Sequence, residues 1–167
     1  MVDERPPLDI EGTSIRIDSL DAWNEHPIPD IKSVRKSEES TMLNPCLCGS
    51  GRPFDDCCGP HLSARTIAPT AEALMRSRYS AFATGQADYL LATWHPTTRP
   101  ATLTLEPGLR WLGLKILSTE AGGATDQEGW VTFVARSKLQ GRAQRLQERS
   151  RFVREHGRWF YLDGELG

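Results

Sequence analysis

Outside one thirteen-residue stretch the chain has no cysteine: 154 of its 167 residues contain none, and the four present stand at positions 46, 48, 57 and 58. A secreted disulfide framework spreads its bridges through the fold, so that class is excluded. Long apolar runs are missing as well. Nothing approaches the ~18 consecutive apolar residues of a membrane-spanning helix, and no membrane partner is expected. The opening stretch, MVDERPPLDIEG, lacks the basic and apolar regions of a secretory leader. There is no GxGxxG, no P-loop and no internal repeat. A net charge of −2 excludes a strongly cationic nucleic-acid binder on bulk charge. The expectation is a cytoplasmic protein, and its length corresponds to about one domain.

The charge is unevenly placed. Residues 1–45 carry ten acidic and five basic side chains, whereas residues 46–167 carry twelve and fifteen. Pro6, Pro7, Pro27 and Pro29 interrupt any helix in the first 41 residues, and only Ile15, Ile17, Leu20 and Trp23 suggest an apolar pattern. Residues 1–41 read as a disordered tail, with a short docked strand around Ser14–Ile17 as the alternative. A further reading is that translation starts at Met42. Glu38-Glu39 can be encoded by a purine run resembling a ribosome-binding site, which would make 1–41 a mis-called extension.

From Thr70 the pattern turns helical. Thr70 can cap, while Ala71, Leu74, Met75, Tyr79 and Phe82 fall near one face and Gly85 suits the C-terminal cap. A second helix runs from Ala87 to about Thr93, and Pro96 disfavours helix at His95. After Pro107-Gly108, strands are expected near Trp111–Thr119, Gly129–Ser137, Arg145–Glu155 and Arg158–Leu162, with His156-Gly157 as a tight turn. Two helices followed by four strands describe an α+β fold with helices on one face of an antiparallel sheet.

The cysteine segment reads CLCGSGRPFDDCCGP. Four thiolates meet the tetrahedral demand of a closed structural Zn²⁺ site, so Cys46, Cys48, Cys57 and Cys58 are the candidate ligands. Gly49 and Gly51 let the chain turn tightly enough for N–H groups to point at sulfur, with Arg52 as a further candidate donor. Two alternatives stay open: four free or paired thiols, or His61 in place of Cys58.

Cys46-x-Cys48-Gly-Ser-Gly with Cys57-Cys58-Gly59 resembles the SEC-C zinc motif. The following stretches are similar to the YchJ family: Ala73–Phe82, Asp88-Tyr-Leu, Thr93-Trp-His-Pro96, Trp111–Leu114, Glu148–Glu155 and Trp159–Gly164. The resemblance implies a nuclear-transport-factor-like (cystatin-like) cone behind a zinc knuckle, and it implies no known reaction. Many SEC-C loops are rich in lysine, whereas this one sets only Arg52 against Asp55 and Asp56. Nucleic-acid binding through the knuckle is therefore not expected. The resulting division is a knuckle at 42–60 and an α+β cone at 65–164. Leu74, Met75, Phe82, Leu90, Leu91, Trp94, Leu112, Leu114, Phe133 and Phe160 supply the cone with a core expected to stand without the metal.

Cones of this class often enclose a cavity, and fold alone does not decide its use. Polar candidates are Arg76, Arg78, Tyr79, His95, Glu148, Ser150, Arg151 and Asp163. His95 is the candidate general base, Asp163 or Glu148 its orienting carboxylate, and Tyr79 a group to polarise a carbonyl. The bland reading makes His95 a helix-terminal residue and Arg78 a structural pair. In the strand around residues 146–153, Leu146, Glu148, Ser150 and Phe152 alternate with Gln147, Arg149, Arg151 and Val153, so neither face is purely apolar. From Arg136 to Arg158 there are eight basic residues against two acidic ones, which reads as a solvated basic face ahead of a nucleic-acid surface. The functional expectation is a non-catalytic adaptor using the knuckle to meet a protein partner, with a homodimer through the sheet as a further possibility. The alternative is a small isomerase, dehydratase or hydrolase using the cone cavity.

Overall fold

The computed structural model describes residues 44–167. The readings made on 1–41, and the start at Met42, lie outside the described residues. A 3-10 turn at Phe54–Asp56 is followed by α1 (Gly59–Leu62), α2 (Ala71–Thr84) and α3 (Ala87–Ala92). Four strands complete the chain: β1 (Arg110–Ala121), β2 (Glu128–Leu139), β3 (Arg142–Glu155) and β4 (Arg158–Leu166).

Helix α2 forms where the spacing predicts it. Thr70 Oγ1 accepts from the Ala73 N–H at 3.1 Å, and Gly85 closes the helix with φ 76°. The short α1 is absent from the sequence expectation. Pro60 in its first turn loses no helical bond by lacking a donor, and the helix stops after four residues.

The strands form an antiparallel meander in the order β1-β2-β3-β4. Their hairpins close through two-residue turns: Gln140-Gly141 with φ 48° and 79°, and His156-Gly157 with φ 52° and 76°. Paired positive φ matches the right-handed twist of the flanking strands. Register shifts at Trp111/Gly113, Ile116/Ser118 and Arg151/Phe152 bend the sheet. Its concave face takes α2, whose Leu74, Met75 and Tyr79 bury against Leu114, Val131, Phe133, Phe152, Trp159 and Tyr161. The expected α+β cone is the observed architecture. Beyond α3 the chain runs along the edge of β4, with His95 N–H donating to Tyr161 O at 2.7 Å and Tyr161 N–H to Thr93 O at 2.8 Å.

Cys46, Cys48 and Cys58 belong to the same buried cluster as Leu74, Met75 and Tyr79, so the cysteine segment and the cone share packing that the linear pattern does not reveal. The thiols are small apolar groups in their own right and cover one side of α2.

Candidate metal centre and the interior polar cluster

The cysteine loop is held by its own backbone. Cys46 N–H donates to Arg52 O at 2.8 Å and Phe54 N–H to Asn44 O at 3.0 Å, with a bridge between Pro45 and Pro53. Gly49 turns the loop with φ 74°, and a Cβ there would stand 3.0 Å from the Leu114 carbonyl of β1. Both the turn and the close approach call for glycine.

This scaffold brings the four sulfurs within 4.8 Å of one another. Cys48 Sγ lies 3.6 Å from Cys57 Sγ, and Cys57 Sγ 3.9 Å from Cys58 Sγ. Thiolates ~2.3 Å from a tetrahedral ion lie ~3.8 Å from each other, so the donor set and its spacing fit a metal ion. His61 does not join them: its Nδ1 meets Thr66 Oγ1 at 3.0 Å.

The surroundings favour a thiolate at Cys48 and disfavour one at Cys57 and Cys58. Hydrogen bonds from Cys46 and Cys58, with one from the Ser50 backbone, hold the Cys48 thiol far below its ordinary value. Burial and the neighbouring Cys48 thiolate push Cys57 up to about 11, against a hydrogen bond from Ser50 whose Oγ lies 3.2 Å from the sulfur. Hydrogen bonding to its neighbours raises Cys58. The arginine at the cluster is Arg76 of α2, which donates through Nη1 to Cys48 O at 2.9 Å and lies 3.8 Å from Cys48 Sγ. Arg52 instead donates to the Asp56 carbonyl. Ser80 of α2 places its Oγ 3.9 Å from Cys46 Sγ. Arg76 and Ser80 arrive from 28 and 34 residues away, which local spacing does not reveal.

The four candidate catalytic residues do not all converge: Asp163 is near enough to Glu148 to raise its carboxyl, while His95 and Tyr79 are engaged elsewhere. His95 pairs through Nε2 with Glu155 Oε2 at 3.0 Å and through Nδ1 with Thr97 Oγ1 at 2.7 Å. Its carboxylate is thus Glu155, which the end of β3 brings to it, and neither Asp163 nor Glu148. Tyr79 lies buried edge-on to Trp111 at 5.8 Å. Asp163 is exposed on β4. Glu148 is 2% exposed on the inner face of β3, where Oε1 accepts from Ser150 Oγ at 2.8 Å and Tyr161 Oη at 3.3 Å. Burial pushes its carboxyl up to about 8. Gly164 on β4 leaves the room that this carboxyl occupies.

Arg78 fills the centre of the cone. It is fully buried, donates through Nη1 to Leu90 O at 2.8 Å and Thr93 Oγ1 at 2.7 Å, and lies over the rings of Trp94 and Tyr161. Burial lowers its pKa to about 10, which leaves it charged at neutral pH. Its Nε and Nη2 are buried without a hydrogen-bond partner among the described residues. On the opposite face of the sheet, Arg149 pairs with Glu120 at 2.9 Å, Arg151 pairs with Glu128, and both arginines lie against Trp130.

The model of the YchJ middle NTF2-like domain matches residues 70–164, and the SEC-C motif matches 44–60. The chain belongs to the YchJ family. Among its YchJ-family relatives, a UPF0225 protein of Methylibium petroleiphilum is 59% identical over 124 residues, covering 73% of this chain and 88% of that protein. One from Streptomyces coelicolor is 54% identical over 122 residues, covering 73% and 95%. The solution structure of a SEC-C motif containing protein from Rhodopseudomonas palustris superposes with a TM-score of 0.64 at 38% identity, over 72% of this chain and 96% of that one. A crystal structure of a SEC-C motif containing protein from Psychrobacter arcticus gives 0.57 at 27% identity, over 77% and 81%. The cysteine cluster and the motif both fit metal binding.

Proposed function

We propose that this YchJ-family chain is a structural-zinc protein of the cytosol whose knuckle presents a rigid surface to a protein partner. The observation that carries the reading is the closed sulfur cluster, with all four Sγ atoms within 4.8 Å and three of the four cysteines buried. An all-sulfur tetrahedral set suits zinc, and four thiolates on one ion leave no coordination position for substrate. Second-row support from Arg76 and Ser50 offsets the charge of such a centre. Leu47 is 48% exposed between two buried cysteines, and Arg52, Asp55 and Asp56 of the same segment are also exposed. An apolar residue held proud of a cross-linked loop is a preorganised contact, and preorganisation is what an adaptor surface gains from a metal.

One experiment tests both halves. A photo-crosslinking residue at Leu47 is introduced into the otherwise native chain and into its Cys48→Ser variant, and metal content is measured on each. About one equivalent of zinc is expected in the first and a sharp loss in the second, together with loss of a discrete protein adduct. Absence of zinc from reduced protein overturns the metal assignment. An adduct pattern at Leu47 no different from that at exposed Thr102 overturns the adaptor role.

A further inference from the structure

A second concavity has no cysteine in its wall and shares Thr93 with the Arg78 cluster. It has a volume of about 150 Å³ and is walled by residues 61–68, the face of α3 and the start of β4. Leu74, Ala92 and Phe160 line it with apolar surface, while His61, Thr93 and Arg158 also contribute to its wall. No aspartate or glutamate lines it. A cavity near 150 Å³ admits a benzene-sized body, which sets the scale of the occupant.

The polar groups set its charge. The Arg158 side chain makes no hydrogen bond or ion pair among the described residues, and the carboxylate nearest in sequence, Glu155, is engaged by His95. His61 has its Nδ1 committed to Thr66, so its Nε2 remains for another partner. In the tautomer whose Nδ1 accepts from Thr66 Oγ1, Nε2 carries the proton, so both groups then suit an acceptor, and a guanidinium suits a carboxylate above all. Few polar groups around an apolar wall are the composition of a small-molecule site.

We infer that this cavity is a binding site for a small organic carboxylate whose apolar body is about the size of a benzene ring. The site is separate from the proposed zinc knuckle and does not depend on that assignment. The body would occupy the wall between Leu74, Ala92 and Phe160, and the carboxylate would face Arg158 and His61.

Sodium benzoate serves as the probe, titrated into the full chain at constant ionic strength with backbone amide resonances as readout. Saturable shifts are expected at Ala92, Thr93 and Phe160, with half-saturation below about 10 mM. Benzamide, the neutral isostere, should bind about tenfold more weakly, as should benzoate to the Arg158→Gln variant. Ala92→Phe, a change at an exposed position of α3, should abolish the shifts by filling the cavity. The proposal is overturned by the absence of saturable shifts at these amides. It is equally overturned if benzamide matches benzoate, or if Arg158→Gln leaves binding unchanged.

Discussion

Glu148 occupies the inner face of β3 with Leu146, Ser150 and Phe152 as its neighbours along the strand, and all four are buried. The mixed pattern of this strand placed a polar group on each face but did not say which face turned inward. That choice depends on the register with β2 and β4, a property of the sheet. The charged groups facing Glu148 are Arg78 from α2 and Asp163 from β4, with the neutral Tyr161 hydroxyl donating to it. Its carboxyl, pushed up to about 8 by burial against an ordinary 4.5, binds a proton in the folded state that the unfolded chain has released. Stability is therefore full below the unfolded value and falls as pH rises towards 8, by at most roughly 1.4 kcal/mol per unit. Denaturant melts between pH 6 and 8, where a thiolate site keeps its metal, should show this fall. Glu148→Gln should flatten it and raise the midpoint at pH 8. A slope unchanged by the substitution would assign the effect to another group.

At the scale of elements, what could be read from sequence was whatever is specified within a few residues. The N-cap and C-cap of α2 and the His156-Gly157 turn depend on residues adjacent in the chain, and each is found in place. The cysteine set belongs to the same class, because its spacing lies within thirteen residues. Contacts between distant elements were not legible: Arg76 on Cys48, and Glu155 in place of Asp163 on His95, arise only when helix and sheet meet. The mooring of α2 onto the sheet is a further case. Ala71 N–H donates to Gly122 O at 3.0 Å, and a Cβ on Gly129 would press on the Gly122 backbone and stand 3.1 Å from the Ala71 Cβ. Both glycines thus let the first turn of α2 lie on the β1–β2 connection. Gly129→Ala should cost about 1–3 kcal/mol by overpacking this contact, read as a lowered urea midpoint with unchanged slope. A midpoint equal to that of the native chain would show that the hairpin end yields freely.

For the whole molecule, the decisive feature is that the cysteine segment and the cone share one buried cluster. The sequence suggested otherwise because Leu47, Pro53 and Phe54 are its evident apolar residues, and thiols that face a helix are not visible as core in a linear pattern. In the fold, Cys46 lies against Ser80, Cys48 against Arg76, and the Gly49 turn against Leu114 of β1. These contacts reach two of the elements that build the cone. With zinc bound as proposed, ~10–16 kcal/mol of apparent binding energy would hold this wall together. Chelation should then do more than melt residues 44–62: it should lower the thermal midpoint of the entire chain and loosen α2 around residues 76–80. The centres of β2 and β3, whose Phe133 and Phe152 are packed away from solvent, should be the last amides to lose exchange protection. Hydrogen exchange on the metal-loaded and chelated chains distinguishes the outcomes. If residues 44–62 lose protection while α2 and the global midpoint stay within error of the loaded protein, the shared core contributes nothing and the knuckle is an independent unit.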